Sequence, residues 1–293
     1  IKLTKMISII ITAYKEPKTI AKAIKSIIEN RLENYEIIVA APDEETLGQA
    51  SRFAQVKTLK DPGKGKPLAL NLAISKAKGD IVVLTDGDVF VDKNALKPLL
   101  AWFSDPKIGA VTGRPISLNN KNSTYGFWSH FLADIAHKRR LQASKLNRRF
   151  FCSGYLYALR KSILKPIPED CVVEDGFYSH LIWQKGYKVA YSPESRVYVH
   201  YPTNLNDWKN QKIRSVGGYM NLHSKFKIEM RSFSQESSGL WDLFRYAKSL
   251  KQDFWALGLI AFRIYLWIAI AYKFRFKKEE ASQRIWVRIE STK

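Results

Sequence analysis

Through the N-terminal third of the chain, short apolar runs alternate with stretches whose apolar residues recur every three or four positions. Ile7 to Thr12 reads as a buried strand. A helix is predicted from about Pro17 to Glu29, with Ile20, Ala23, Ile24, Ile27 and Ile28 on one face. Glu36 to Ala40 follows as a strand, Thr46 to Ala54 as a helix, Val56 to Leu59 as a short strand and Pro67 to Ala77 as another helix, ahead of the run Ile81-Val82-Val83-Leu84. This rhythm predicts an α/β fold, a Rossmann-like and mostly parallel sheet flanked by helices. Ligands on such sheets bind beyond the carboxyl ends of the strands. Tyr14, Glu16, Asp43, Asp86 and Asp88 all fall at such ends.

The pattern changes from about Ser237. Leu240, Leu243, Phe244, Ala247 and Leu250 recur at helical spacing, with Arg245, Lys248 and Lys251 elsewhere on the wheel, as in a helix lying on an anionic membrane surface. Phe254 to Tyr272 is then apolar except for Arg263, and its 19 residues would just span a bilayer. Arg263 at the centre of a span would cost about 2.5 to 3.5 kcal/mol. Basic residues flank both ends, Lys248 and Lys251 before, Lys273, Arg275, Lys277 and Lys278 after, so a single crossing would put one cluster on the wrong side. In-plane or re-entrant insertion is therefore expected, with a core helix or a homodimer contact through these helices as the alternative. The expected division is a catalytic domain over 1–236 and membrane-associated helices over 237–293.

Composition adds to this picture. The formal net charge of +21 on 293 residues draws the protein toward something anionic. Lys and Arg are spread along the chain, and there is neither zinc-ligand spacing nor an aromatic RNA-binding signature, so no nucleic acid is expected as a partner. Anionic lipid headgroups and sugar diphosphates suit the spread better. Cys152 and Cys171 are too sparse for a disulfide framework, and no secretory signal pattern opens the sequence, which starts at Ile1. The expected location is the cytoplasmic face of the cell membrane, peripheral or monotopic.

The densest chemistry lies between Gly65 and Asp92. A basic turn leads into a helix holding Asn71, then the apolar run, then Asp86-Gly87-Asp88. Two carboxylates one residue apart, released from the end of a buried strand, can hold a hard divalent cation against a diphosphate; the bland reading is a tight Asp-Gly turn. Four further segments recur in order: Met6 to Glu16, Phe151-Cys152-Ser153-Gly154-Tyr155 through Arg160, Val173-Glu174-Asp175, and Gln211-Lys212-Ile213-Arg214-Ser215. Together the five resemble the inverting family 2 glycosyltransferases of GT-A fold, in particular the cellulose and hyaluronan synthase-like branch. Two departures stand out: Ala41-Pro42-Asp43-Glu44-Glu45 replaces the usual acidic cluster after the second strand, and Ser215 stands where polymer-making members carry Trp.

The resemblance implies a nucleotide-sugar half over about 1–115 and an acceptor half over about 116–236. Donor binding is expected on Thr12, Ala13, Tyr14, Glu16, Asp43, Lys66 and Asp86, with Asp86 on ribose or beside the metal ligand. Asp88 is the expected direct ligand of Mn2+ or Mg2+, with His200 a second candidate ligand or else an ordinary strand imidazole. Lys66 meets a phosphate or the base-side loop, or is simply a solvated lysine of its Gly-Lys-Gly-Lys turn. Asp175, with Glu174 beside it, is the implied catalytic base for a hydroxyl acceptor; the pair would equally suit a helix N-terminus, and both can hold together. Gln211 and Arg214 share a helical face and would clamp the diphosphate or the acceptor sugar. Without Trp at 215, Trp208 or Trp183 is a candidate stacking platform. Tyr125 to Arg140, with Trp128, His130 and His137, reads as a packed amphipathic helix more readily than as acceptor contact.

The expected activity is metal-dependent, inverting hexosyl transfer from GDP-mannose or a UDP-hexose to a hydroxyl of a lipid-linked glycan, one sugar per encounter. The alternatives are a polyprenyl-phosphate glycosyl synthase, which needs no base because its acceptor phosphate is already ionised, a nucleotidyltransferase, and a basic nucleic-acid-binding protein.

Overall fold

The structure is a computed structural model that describes residues 6–227, 240–276 and 289–292. The predicted start of the tail near Ser237 and the flanking Lys277 and Lys278 lie outside the described residues. The chain forms two compact units, Ile1–Ile116 with His137–Val199, and Ser117–Ala136 with His200–Thr292.

The first unit is built on β1 (Ile7–Thr12), β2 (Tyr35–Ala41), β3 (Val56–Lys60) and β4 (Ile81–Asp86). β1 pairs in parallel with both β2 and β4, and β2 with β3, as the strand and helix rhythm predicts. β5 (Phe90–Val91), β6 (Ile108–Ser117), β7 (Leu156–Arg160) and β8 (Lys188–Val199) complete one eight-stranded sheet among the described residues, in the order β3-β2-β1-β4-β7-β6-β8-β5. β7 runs antiparallel to β4 and β6, and β5 antiparallel to β8, in contrast to the parallel pairing of the N-terminal four strands. The physical reason is the connection: helices carry the chain back between β1 and β4, whereas β7 meets β4 from the other direction.

α1 (Ile20–Ile28) buries Ile20, Ala23, Ile24 and Ile27, the predicted face. It starts three residues later than expected, after a turn in which Thr19 and Ile20 donate to the Glu16 carbonyl at 3.2 and 3.1 Å. α2 (Glu44–Ala50) starts two residues earlier, because the Asp43 carboxylate caps it by accepting from the Thr46 amide at 2.9 Å. α3 (Lys66–Lys76) opens after Gly63 and Gly65, whose φ angles of 68° and 114° lie where glycine is favoured; the turn thereby aims Lys66. α4 (Leu96–Ala101) and α6 (Glu174–Gln184) belong to the same unit.

In the second unit, the first half of α5 (Thr124–Lys145) packs with α7 (Leu205–Phe226), α8 (Leu240–Tyr246) and α9 (Leu250–Phe276). Trp128 is its hub: the indole stacks on Phe262 at 5.4 Å between centroids and donates to the Trp255 carbonyl at 2.8 Å. His130 contacts the Asn119 carbonyl at 2.9 Å. α9 buries Trp255, Leu259, Phe262, Leu266 and Ile270, while Leu250, Phe254, Leu257, Ile264, Ile268 and Tyr272 are exposed along its other side. The helix is long and apolar enough to cross a membrane, and one face of it is committed to protein packing.

Candidate active site

The carboxyl edge of β1, β2 and β4 gathers the predicted acids. Thr12 donates from Oγ1 to Asp86 Oδ1 at 3.0 Å, tying the ends of the adjacent strands β1 and β4. Past Ala13, which is buried, the chain turns through Lys15 at a φ of 55°. That strained turn is held from one side by Asp43: Oδ2 accepts the Lys15 amide at 2.9 Å while Oδ1 accepts from Thr46. Burial alone would raise the Asp43 carboxyl, and these hydrogen bonds outweigh it and hold it below its ordinary value. Tyr14 is exposed at the mouth of this edge.

Glu16 is buried behind the Asp86-Gly87-Asp88 turn. A Cβ on Gly87 would collide with Glu16 Oε2 and sit 2.8 Å from Ala13 Cβ, so the turn closes against Glu16 only because position 87 has no side chain. The segment is thus the tight Asp-Gly turn of one sequence reading, and it leaves Asp88 half-buried. Asp61, at the end of β3, was not anticipated; it is buried, accepts the Gly63 amide at 2.7 Å, and burial with the Asp43 charge nearby raises its carboxyl.

Lys66 is not a solvated lysine. Its Nζ lies 2.7 Å from Asp86 Oδ1 and 2.5 Å from Glu174 Oε1, with only 17% of the side chain exposed. Burial would lower its pKa, but the two carboxylates outweigh this and push it well above the ordinary lysine value. One ammonium thus joins the donor-edge acid of β4 to the acid pair at the start of α6.

That pair does open a helix, as one reading required. Asp175 is driven up to about 7 by burial first and by the Glu174 charge second, against the lowering effect of the Gly176 amide, Lys66 and Arg140. The segment Phe151 to Tyr155 wraps round it. The Cys152 amide donates to Ser179 Oγ at 2.9 Å, that hydroxyl donates to the Asp175 carbonyl at 2.6 Å, and a Cβ on Gly154 would sit 3.4 Å from Asp175 Oδ2. Behind the pair, the buried Tyr157 hydroxyl has no hydrogen-bond partner among the described residues, and burial and both acids push its pKa far up. α3 fixes the approach: Asn71 donates to the Ile167 carbonyl and accepts the Ile167 amide, both at 2.8 Å, clamping the loop that leads to Glu174.

The remaining predicted residues lie in the second unit. Gln211 and Arg214 share one side of α7 and are half-buried. Trp208 is fully buried, stacked on Tyr201 at 6.2 Å and edge-on to Trp128. His200 follows β8. In the first unit, Trp183 packs at a tilt against Phe151, with ring centroids 5.0 Å apart, and lies under Arg149.

No cluster of three or more His, Cys, Asp or Glu stands ready as a metal cage among the described residues. The donor set nonetheless fits a hard divalent cation of the Mg2+ or Mn2+ type, since a half-buried carboxylate on a strand-end turn supplies one oxygen and a diphosphate and water would supply the rest.

The eight-stranded mixed sheet thus carries acids along one carboxyl edge, and Lys66 joins them to the Glu174–Asp175 pair. Residues 8–167, more than half of the chain, match the model described as glycosyl transferase family 2, and the chain belongs to that family. It is 27% identical over 261 residues to poly-beta-1,6-N-acetyl-D-glucosamine synthase of Staphylococcus aureus (strain COL), an alignment that covers 80% of this chain and 62% of the relative. Over 142 residues, 43% of each protein, it is 32% identical to O-antigen chain rhamnosyltransferase RfbN of Salmonella typhimurium. Among solved structures, the mannosyltransferase PcManGT of Pyrobaculum calidifontis, in complex with GDP-Man and Mn2+, superposes with a TM-score of 0.66 at 20% identity, covering 94% of this chain and 88% of that one. That likeness establishes the GT-A fold.

Proposed function

We propose that the protein is a metal-dependent inverting glycosyltransferase that moves a hexose from a nucleotide-sugar to a hydroxyl of a lipid-linked glycan. The observation that supports this reading is the Lys66 bridge, which joins Asp86 at the carboxyl end of β4 to Glu174 of the acid pair that opens α6. A hydroxyl acceptor needs a base and an ionised phosphate acceptor does not, so Asp175 with its raised pKa favours the hydroxyl over a polyprenyl phosphate.

In this reading Thr12, Ala13, Tyr14, Glu16, Asp43 and Asp86 hold the nucleoside, and Asp88 carries the divalent cation, which when bound neutralises charge on the departing diphosphate. His200 remains a candidate second ligand, and Gln211 and Arg214 are assigned to the diphosphate or the acceptor sugar. The acceptor oxygen attacks the anomeric carbon, its proton passes to Asp175, and the bond to the diphosphate breaks, so one displacement inverts the centre. Mn2+ and GDP-Man in the PcManGT complex support the metal and make GDP-mannose the donor to try first, with UDP-hexoses next. The exposed apolar side of α9, with Lys248 and Lys251 exposed at its start, supports in-plane contact with an anionic membrane at the cytoplasmic face.

The test is Asp175→Asn in a transfer assay with lipid-linked oligosaccharide acceptors. We expect kcat to fall by about three orders of magnitude or more, within the range that general bases contribute, with nucleotide affinity intact. Unchanged transfer would remove Asp175 as the base and favour a phosphate acceptor.

A further inference from the structure

Asp61 is a buried acid that the reaction described above does not use. It lies one residue past β3, where its amide donates to the Ala41 carbonyl at the end of β2 at 3.1 Å, so it continues the β2–β3 pairing onto the carboxyl edge. The turn that follows packs down on the neighbouring loop: a Cβ on Gly63 would sit 3.2 Å from Pro42 Cβ, next to Asp43. Contacts run on from there across the edge. Asp43 accepts the Lys15 amide beside Tyr14, the Ala13 amide donates to the Ala40 carbonyl at 2.9 Å, and Thr12 ties to Asp86. In the strand order β3-β2-β1-β4, Asp61 is therefore three strand intervals, about 14 Å at the usual spacing, from the end of β4 that leads to Asp88. A nucleoside diphosphate with its phosphates at Asp88 and its ribose at Asp86 brings its base to this end of the edge.

The two acids at the base end are not equivalent. Asp43 already accepts from the Lys15 amide and from both the amide and the hydroxyl of Thr46, and so holds its loop in place. Asp61 is 7% exposed, and among the described residues only its Oδ1 has a partner, the Gly63 amide at 2.7 Å; Oδ2 accepts no hydrogen bond there. A carboxylate this buried is costly to leave half-satisfied, and burial with the Asp43 charge accordingly raises its pKa. What it lacks is a ligand with N–H donors. The Watson–Crick edge of guanine supplies two in parallel, N1–H and N2–H, which fit the two carboxylate oxygens as a bidentate pair, and Oδ1 keeps a lone pair beside its bond to Gly63. Uracil supplies a single N–H flanked by carbonyl oxygens, and pairing with it would set one of these against the second carboxylate oxygen. We propose that Asp61 reads the nucleobase of the donor and selects guanine over uracil. This rests on the transferase reading and narrows the donor to a guanosine diphosphate sugar.

The test is calorimetric titration of GDP, IDP and UDP, each with Mn2+, into the wild type and Asp61→Asn. Wild type is expected to bind GDP tighter than UDP by a factor of about ten or more, with IDP between them, because hypoxanthine keeps N1–H and lacks the 2-amino group. Asp61→Asn should shrink the ratio of GDP to UDP affinity by a factor of about ten or more, weakening GDP while sparing UDP. A purely structural role for Asp61 in its turn would weaken both nucleotides equally, and that result would overturn the proposal, as would a wild type that binds UDP as tightly as GDP. Should Asp61→Asn fail to fold, Asp61→Ser, whose hydroxyl can still accept the Gly63 amide, serves in its place with the same expected change of ratio. Binding of none of the three by folded wild type would overturn the transferase reading itself, whereas nucleotide binding without a preference for guanine overturns only the role of Asp61.

Discussion

At the residue scale, the site is a problem of too many buried acids solved by one cation. Glu174 is buried and its neighbour Asp175 half-buried, and Lys66 neutralises Glu174. Asp175 binds a proton more tightly folded than unfolded, so it favours the folded state at low pH and costs stability as pH rises from about 4 toward 7. Asp175→Asn removes that cost. We expect a higher Tm at pH 8, with an upper bound of about 4 kcal/mol from a shift of about three pKa units, and little change at pH 4; calorimetry at both pH values checks it. In the wild type, kcat/KM should fall as pH drops below about 7, because a protonated base cannot accept the hydroxyl proton. Lys66→Met should move that limb to higher pH and destabilise the fold by about 3 to 5 kcal/mol at neutral pH, the range for breaking a buried pair. Because the folded-state pKa of Lys66 is raised, its contribution is complete below the unfolded lysine value and is lost only as pH rises beyond it. An unshifted pH profile in Lys66→Met would remove the coupling between the two halves of the site.

At the element scale, α3 links these parts. Its first residue is Lys66, and one turn on Asn71 holds the loop before Glu174 through two hydrogen bonds. Asn71→Ala should cost about 2 kcal/mol, at about 1 kcal/mol for each bond, and lower kcat while leaving nucleotide affinity within a factor of about two, as stopped-flow and calorimetry would show. The sequence made the parallel elements readable because each strand is a continuous apolar run and each helix has a periodic face; β1 was predicted to its observed limits. The antiparallel half was not laid out, since the order of β7, β6 and β8 depends on pairings between distant segments. Likewise Asp86, Asp88 and Glu174 were visible as motifs, but Lys66 meeting Glu174 is a tertiary fact with no local signal. Asp61 had one, its position at a strand end, where Asp43 and Asp86 also lie.

At the scale of the molecule, the chain combines a basic surface with one long helix that is apolar on both sides. α9 buries one face, and the exposed row of Phe254, Leu257 and Ile268 is large apolar surface of the kind found at protein or membrane contacts; the membrane reading proposed above makes a direct prediction. Vesicles containing phosphatidylglycerol should sediment the protein, with affinity falling as salt rises, and Phe254→Ser with Ile268→Ser should weaken sedimentation at least tenfold without changing nucleotide affinity. Equal sedimentation by the double variant would place the membrane contact elsewhere.

A metal-dependent nucleotide-sugar site at the carboxyl edge of the sheet is tested most directly by calorimetric binding of UDP and GDP, with and without Mn2+, to the wild type and to Asp88→Ala. The proposed site predicts that one nucleotide binds only with the metal and that Asp88→Ala abolishes this binding while the protein stays folded. Binding of neither nucleotide to folded wild type, or equal metal-dependent binding in Asp88→Ala, would contradict it.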